Sequence, residues 1–123
     1  MLIFATVLVV DDDQSVRGLV RRILAEQGYT ILEAEDGAAG FDLALAHAGC
    51  IDLLLTDVIM PKINGITLAT RVREARPGLA VLYMSGYLES TMLLAKDSKA
   101  VMLQKPFTSD RLVAAVRRAL TYP

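Results

Sequence analysis

"LLLTDVIMPKING", residues 53–65, drives three leucines and a threonine into an acid. Asp57 is followed, after Val58 and Ile59, by a Met60-Pro61 pair and then by Gly65. A continuous apolar run of this length suits a strand buried on both faces, as in a parallel sheet. A carboxylate at the end of such a strand has two readings. Asp is a common turn residue because its side chain bonds its own backbone. It is also a reactive group that a buried strand can hold at its exit. The rest of the chain decides between them.

Four further runs share the apolar character: "ATVLVVD" (5–11), "YTILEA" (29–34), "LAVLYMS" (79–85) and "AVMLQ" (100–104). Helical patterns lie between them. Val16, Leu19, Val20, Ile23 and Leu24 form one stripe; Phe41, Ala44, Leu45 and Ala48 a second; Leu68, Val72 and Ala75 a third; Leu112, Val116, Ala119 and Leu120 the last. Each marks one face of a 3.6-residue period. The pattern around 88–97 has a short apolar stripe and is the weakest of the five. Gly28, "EDG" at 35–37, Gly49, "ARPG" at 75–78 and "KPF" at 105–107 break the chain between elements. Strict alternation of five β-like and five α-like segments predicts a doubly wound α/β domain with a five-stranded parallel sheet.

The 123 residues are read as a single domain, 1–123, with 54% hydrophobic and 22% charged residues, so the chain is globular and not disordered. Thirteen basic against fourteen acidic residues argue against direct nucleic-acid binding or a polybasic membrane anchor. The apolar start "MLIFATVLVV" is too short to span a bilayer and has neither a basic leader nor a small-residue cleavage site, so no membrane insertion is expected. Cys50 is the only cysteine, which fits a reducing, cytoplasmic setting. It reads as a small buried hydrophobe, and His47 as a surface residue.

In a doubly wound sheet, ligands sit outside the carboxyl ends of the strands, at the point where strand order reverses. The first run ends in Asp11 and Asp12, the third in Asp57 and the fourth in Ser85, and the fifth leads into Lys105. Asp13 is the expected N-cap of the first helix. Three converging carboxylates repel one another, and a hard cation such as Mg²⁺, which prefers oxygen ligands, relieves that repulsion. A carboxylate can itself be the nucleophile and form an aspartyl phosphate. Phosphoryl transfer then needs mainly positioning and charge neutralisation, which Mg²⁺ and a lysine supply.

"VLVVDDD", "LLLTDVIMPKING", "VLYMSGY" and "LQKPF" together resemble the response-regulator receiver domain of two-component signalling, over residues 5 to 121. "VLYMSGY" and "LQKPFT" are similar to receivers attached to hybrid sensor histidine kinases. The resemblance implies a flavodoxin-like (βα)5 fold with strand order 2-1-3-4-5. It implies that Asp57 is the phosphoacceptor. Mg²⁺, with Mn²⁺ as an alternative, would be held by Asp12 directly, by Asp11 largely through water, by Asp57 and by the Ile59 backbone carbonyl. Ser85 would hydrogen-bond the phosphoryl group and Lys105 would pair with it, across an expected cis Lys105–Pro106 bond. The implied partner is a histidine kinase or a histidine phosphotransfer domain, and the chain itself is either a stand-alone regulator or part of a hybrid kinase.

Two departures from the family pattern stand out. Met102 occupies the position where many receivers carry the Tyr or Phe of the phosphorylation switch. The stretch between Ser85 and Lys105 is short, which predicts a truncated or mobile helix around 88–97. Ile59 and Tyr87 stand where family members tune water access to the phosphoryl group, and their bulk predicts slow self-dephosphorylation. Two other functions fit the sequence less well. An Asp-nucleophile phosphatase resembling the haloacid dehalogenase group would carry a second acid two residues after Asp57, where this chain has Ile59. A flavin carrier would need a Ser/Thr/Gly loop after the first strand, where this chain has "DDDQS". A receiver fold kept only for docking is the alternative that Met102 leaves open.

Overall fold

The structure, a computed structural model, describes residues 5–86 and 101–121. Its five strands are β1 (Thr6–Val10), β2 (Thr30–Ala34), β3 (Leu53–Asp57), β4 (Ala80–Ser85) and β5 (Met102–Gln104). The four helices among the described residues are Gln14–Glu26 (α1), Gly37–Ala46 (α2), Gly65–Ala75 (α3) and Ser109–Thr121 (α4). Tyr87 and the weak helical pattern at 88–97 lie outside the described residues.

All strand pairs are parallel, in the order β2-β1-β3-β4-β5. Every residue of β3 and β4 is buried, as their unbroken apolar runs require. Side chains alternate between two cores. Val7, Val9, Leu53, Leu55, Leu82 and Met84 pack with Val20, Ile23 and Leu24 of α1 and with Leu112, Val116 and Ala119 of α4. Leu8, Val10, Leu54, Val81 and Tyr83 pack on the other face with Ala44 of α2 and with Leu68, Ala69 and Val72 of α3.

Helix starts follow local chemistry. Asp13 caps α1 through Ser15 N–H at 2.9 Å, as its sequence position predicts. Asp36, in the "EDG" turn, accepts from Ala39 N–H at 2.8 Å, and Asn64 accepts from Thr67 N–H at 2.8 Å. At the opposite end of α2, Arg76 donates to the carbonyls of Ala44 (3.0 Å), Gly49 (2.9 Å) and His47 (2.7 Å). One guanidinium thus closes the end of α2 from the end of α3.

Some expected core positions are corrected. Cys50 is exposed, because it follows the end of α2 on a surface loop. Leu19 is 41% and Leu45 55% exposed, and Ala48 and Ala75 are also at the surface. In α2 only Ala44 of the expected stripe is fully buried, and Gly37 and Gly40 make up the rest of the buried face. A Cβ on Gly40 would lie 2.9 Å from Val10 Cγ2, so α2 sits close to β1 because its inner face is small. Larger Phe41 and Leu43 then only flank that core.

Candidate functional site

The sheet reverses its order between β1 and β3, because the chain moves from β1 outward to β2 and then returns to β3 on the other side. The crevice at the carboxyl ends of those two strands is where the fold places a ligand. Strand register aligns the polar residues there. Val10 faces Thr56, which sets Asp11 level with Asp57; Asp57 faces Met84; and Ser85 faces Gln104, the residue before Lys105. The residues that end four different strands therefore form one row.

Lys105 Nζ lies 3.0 Å from Asp11 Oδ2 and 3.3 Å from Asp57 Oδ2. The backbone places it there: Lys105 N–H donates to the Ser85 carbonyl at 2.8 Å, and the Lys105–Pro106 peptide is cis. Asp57 Oδ1 accepts from Val58 N–H at 2.8 Å, and Thr56 Oγ1 donates to the Asp57 carbonyl at 2.9 Å. Asp11 is fully buried, with Oδ1 taking Asp13 N–H at 2.8 Å while Oδ2 faces the lysine. Carboxylate oxygens of Asp11, Asp12 and Asp57 lie within 4.8 Å of one another. Asp12 alone of the three is exposed.

Burial raises the Asp57 carboxyl above its ordinary value; Lys105 pulls against that rise and the Asp11 charge adds to it. For Lys105, burial works against the charged form, but the hydrogen bond and charge of Asp11, together with those of Asp57, outweigh it and lift the ammonium. The site is thus a charged triangle of two buried acids and one lysine, with a third acid open to solvent. Its donors are oxygens without nitrogen or sulfur, which suits a hard divalent cation such as Mg²⁺.

A cleft of about 810 Å³ opens over this triangle. Asp12, Asp57 and Lys105 form its polar floor, and Val16, Leu19, Pro106 and Phe107 its apolar wall. Ile59, 36% exposed, stands at the rim. Ser85 is buried at the end of β4, while Met102, at the start of β5, is 38% exposed.

The structure also explains a motif residue whose role the sequence does not reveal. A Cβ on Gly65 would collide with the Asp57 carbonyl, so only glycine lets α3 begin against the end of β3. Gly65 N–H closes that turn on the Val58 carbonyl at 2.8 Å. Arg17 is missed entirely by the periodicity: it lies beside the α1 stripe, yet Nη1 donates to the Asp11 carbonyl at 2.7 Å. A basic residue one turn beyond an acidic strand exit is the signal that would have marked it.

Residues 7–117 match the family model of the response regulator receiver domain. The sensor kinase CckA of Brucella abortus is 35% identical over 118 residues, covering 94% of this chain and 12% of the kinase. The response regulator receiver protein CpdR of the same organism is 30% identical over 118 residues, covering 93% of this chain and 95% of that protein. The crystal structure of the receiver domain from the hybrid histidine kinase CckA has a TM-score of 0.80 at 34% identity, covering 94% of this chain and 99% of that domain. The chain spans only 12% of CckA and 25% of the NtrC regulator of Rhizobium meliloti, another relative. A family model that reaches all five strands, and a relative of matching length, agree with the switch-point geometry: the chain belongs to the response regulator receiver domains of two-component signalling.

Proposed function

We propose that Asp57 accepts a phosphoryl group from a histidine kinase or a histidine phosphotransfer domain, in a Mg²⁺-dependent reaction, and that the added charge switches a protein-interaction surface. The observation that carries this reading is the position of Asp57, at a strand exit 3.3 Å from Lys105 and within 4.8 Å of two further carboxylates. A carboxylate oxygen of Asp57 forms the bond to phosphorus as the phosphorus–nitrogen bond of the donor histidine breaks. Burial raises the Asp57 carboxyl, and Lys105 opposes that rise, so the lysine helps keep the nucleophile ionised.

Asp12, exposed at the cleft, would hold the metal directly. Asp11, whose two oxygens already face Asp13 N–H and Lys105, would act largely through water. Asp57 and the Ile59 carbonyl would complete the protein's share. The metal supplies charge neutralisation for the transferring group. Lys105 and Ser85 would receive the phosphoryl oxygens on the far side. The chain is not an enzyme toward other substrates on this reading; it promotes only its own phosphorylation and dephosphorylation. Ile59 at the rim would slow attack by water.

The apolar wall of the cleft suits a helical donor that carries its phosphohistidine over Asp57. The similarity to the receiver domain of the hybrid histidine kinase CckA supports a place within a hybrid kinase. The test is intact mass after incubation with Mg²⁺ and acetyl phosphate. One added phosphoryl group, absent in Asp57→Asn and in EDTA, is expected. Met102 favours a second reading, a docking module that no longer switches, since an exposed, flexible methionine replaces the usual ring. A phosphorylated chain with unchanged partner affinity would select that reading.

A further inference from the structure

We infer that Arg17 is a positioning residue for the metal site: it sets the angle at which the Asp11–Asp12 segment presents its carboxylates to the cation. The inference rests on the metal-dependent reading above and extends it to a residue outside the acidic cluster. Val10 is the last residue of β1 in register with either neighbour strand. The Asp11 carbonyl therefore lies beyond the ladder, on a residue with no solvent exposure. Arg17 Nη1 donates to it at 2.7 Å.

The guanidinium is itself held. Arg17 Nε lies 3.5 Å from Glu33 Oε1 on β2, and its side chain is only 15% exposed. Arg21 Nε fixes the other oxygen of Glu33 at 3.1 Å. Arg17 thus ties three elements together at one carbonyl: the exit of β1, the strand β2 and the first turns of α1. The Asp11 carboxylate is anchored to Asp13 N–H at 2.8 Å, so a rotation of the Asp11–Asp12 peptide would move both acids relative to Asp57. A planar fork that bonds in two directions does this in a way a lysine cannot.

Charge and position predict opposite signs here. Removing a cation near three acids should tighten metal binding if only charge matters. Loss of a group that orients metal ligands weakens binding by roughly 10- to 100-fold. The experiment is calorimetric titration of Mg²⁺ into the wild type, Arg17→Ala, Arg17→Lys and Arg21→Ala, with Tm recorded for each in EDTA. The expected result is a roughly tenfold weaker Kd in both Arg17 variants. Arg21→Ala, which loses a Glu33 contact without touching Asp11, should keep the wild-type Kd. Unchanged or tighter Mg²⁺ binding in folded Arg17→Lys would overturn the inference, as would an equal loss in Arg21→Ala. If Arg17→Ala does not fold, the Arg17→Lys titration decides alone. A wild type that fails to bind Mg²⁺, or binds it equally well after Asp12→Asn, would instead refute the metal-dependent reading.

Discussion

Asp57 is costly to the fold that holds it. Its carboxyl is raised mainly by burial, with the Asp11 charge adding to the rise and Lys105 opposing it. A carboxyl raised in the folded state binds protons more tightly there than in the unfolded chain. Stability therefore falls as pH rises from the ordinary carboxylate range through the folded value, and stays low above it. Asp57→Asn removes that cost, while Lys105 keeps Asp11 at 3.0 Å. In metal-free buffer at neutral pH, the variant should be more stable than wild type, and the gain should vanish below the ordinary carboxylate range, at about pH 4. Urea unfolding of both proteins across that range measures it; a variant less stable than wild type at pH 7 would refute the account. The sequence made Asp57 and Asp11 legible because each ends an apolar run abruptly, and Lys105 because it directly follows the last run. It did not reveal Arg17, whose partner is a backbone carbonyl rather than a side chain of a recognisable type.

Helix α2 shows what patterning reads and what it misses. A period of 3.6 points to Phe41, Ala44, Leu45 and Ala48, yet of these only Ala44 is buried, and Gly37 and Gly40 complete the inner face. Periodicity weights large apolar side chains, whereas α2 is chosen for close approach to Val10 and to Ile63 of the loop after Asp57. The end of α2 likewise depends on a distant residue, Arg76, which was legible only as part of a breaker. Its bonds to Ala44 and His47 satisfy carbonyls that a helix end leaves open, and the third, to Gly49, holds the loop that follows. Arg76→Ala should destabilise the domain by roughly 2 kcal/mol. Arg76→Lys should recover less than half of that, since one ammonium cannot span the three acceptors. Because the bonds join α2 to α3 on the face opposite α1 and α4, Mg²⁺ affinity should remain at the wild-type value in both variants.

Across the whole molecule, the acid-rich crevice is a store of unfavourable charge that a bound cation would convert into stability. Two of the three carboxylates are buried, and they have a single ammonium between them. The all-parallel pairing puts every strand exit on one edge, and the β2-β1-β3-β4-β5 order makes the exits of β1, β3 and β4 and the start of the β5–α4 loop neighbours there. That order was legible through the family motifs rather than through any single strand. A ligand that binds only the folded state adds about 2.7 kcal/mol when present at a hundredfold excess over its Kd. For a domain of this size that is a Tm rise of roughly 10 °C. Mg²⁺ should therefore raise the Tm steeply, and EDTA should reverse the effect. Asp12 is the residue that separates this linkage from ordinary packing, because its side chain is exposed and contributes nothing to the core. Asp12→Asn should leave the EDTA Tm unchanged or slightly higher, while abolishing most of the Mg²⁺ response. An Asp12→Asn protein that still gains the full shift would place the cation elsewhere on the molecule and separate the crevice from the metal.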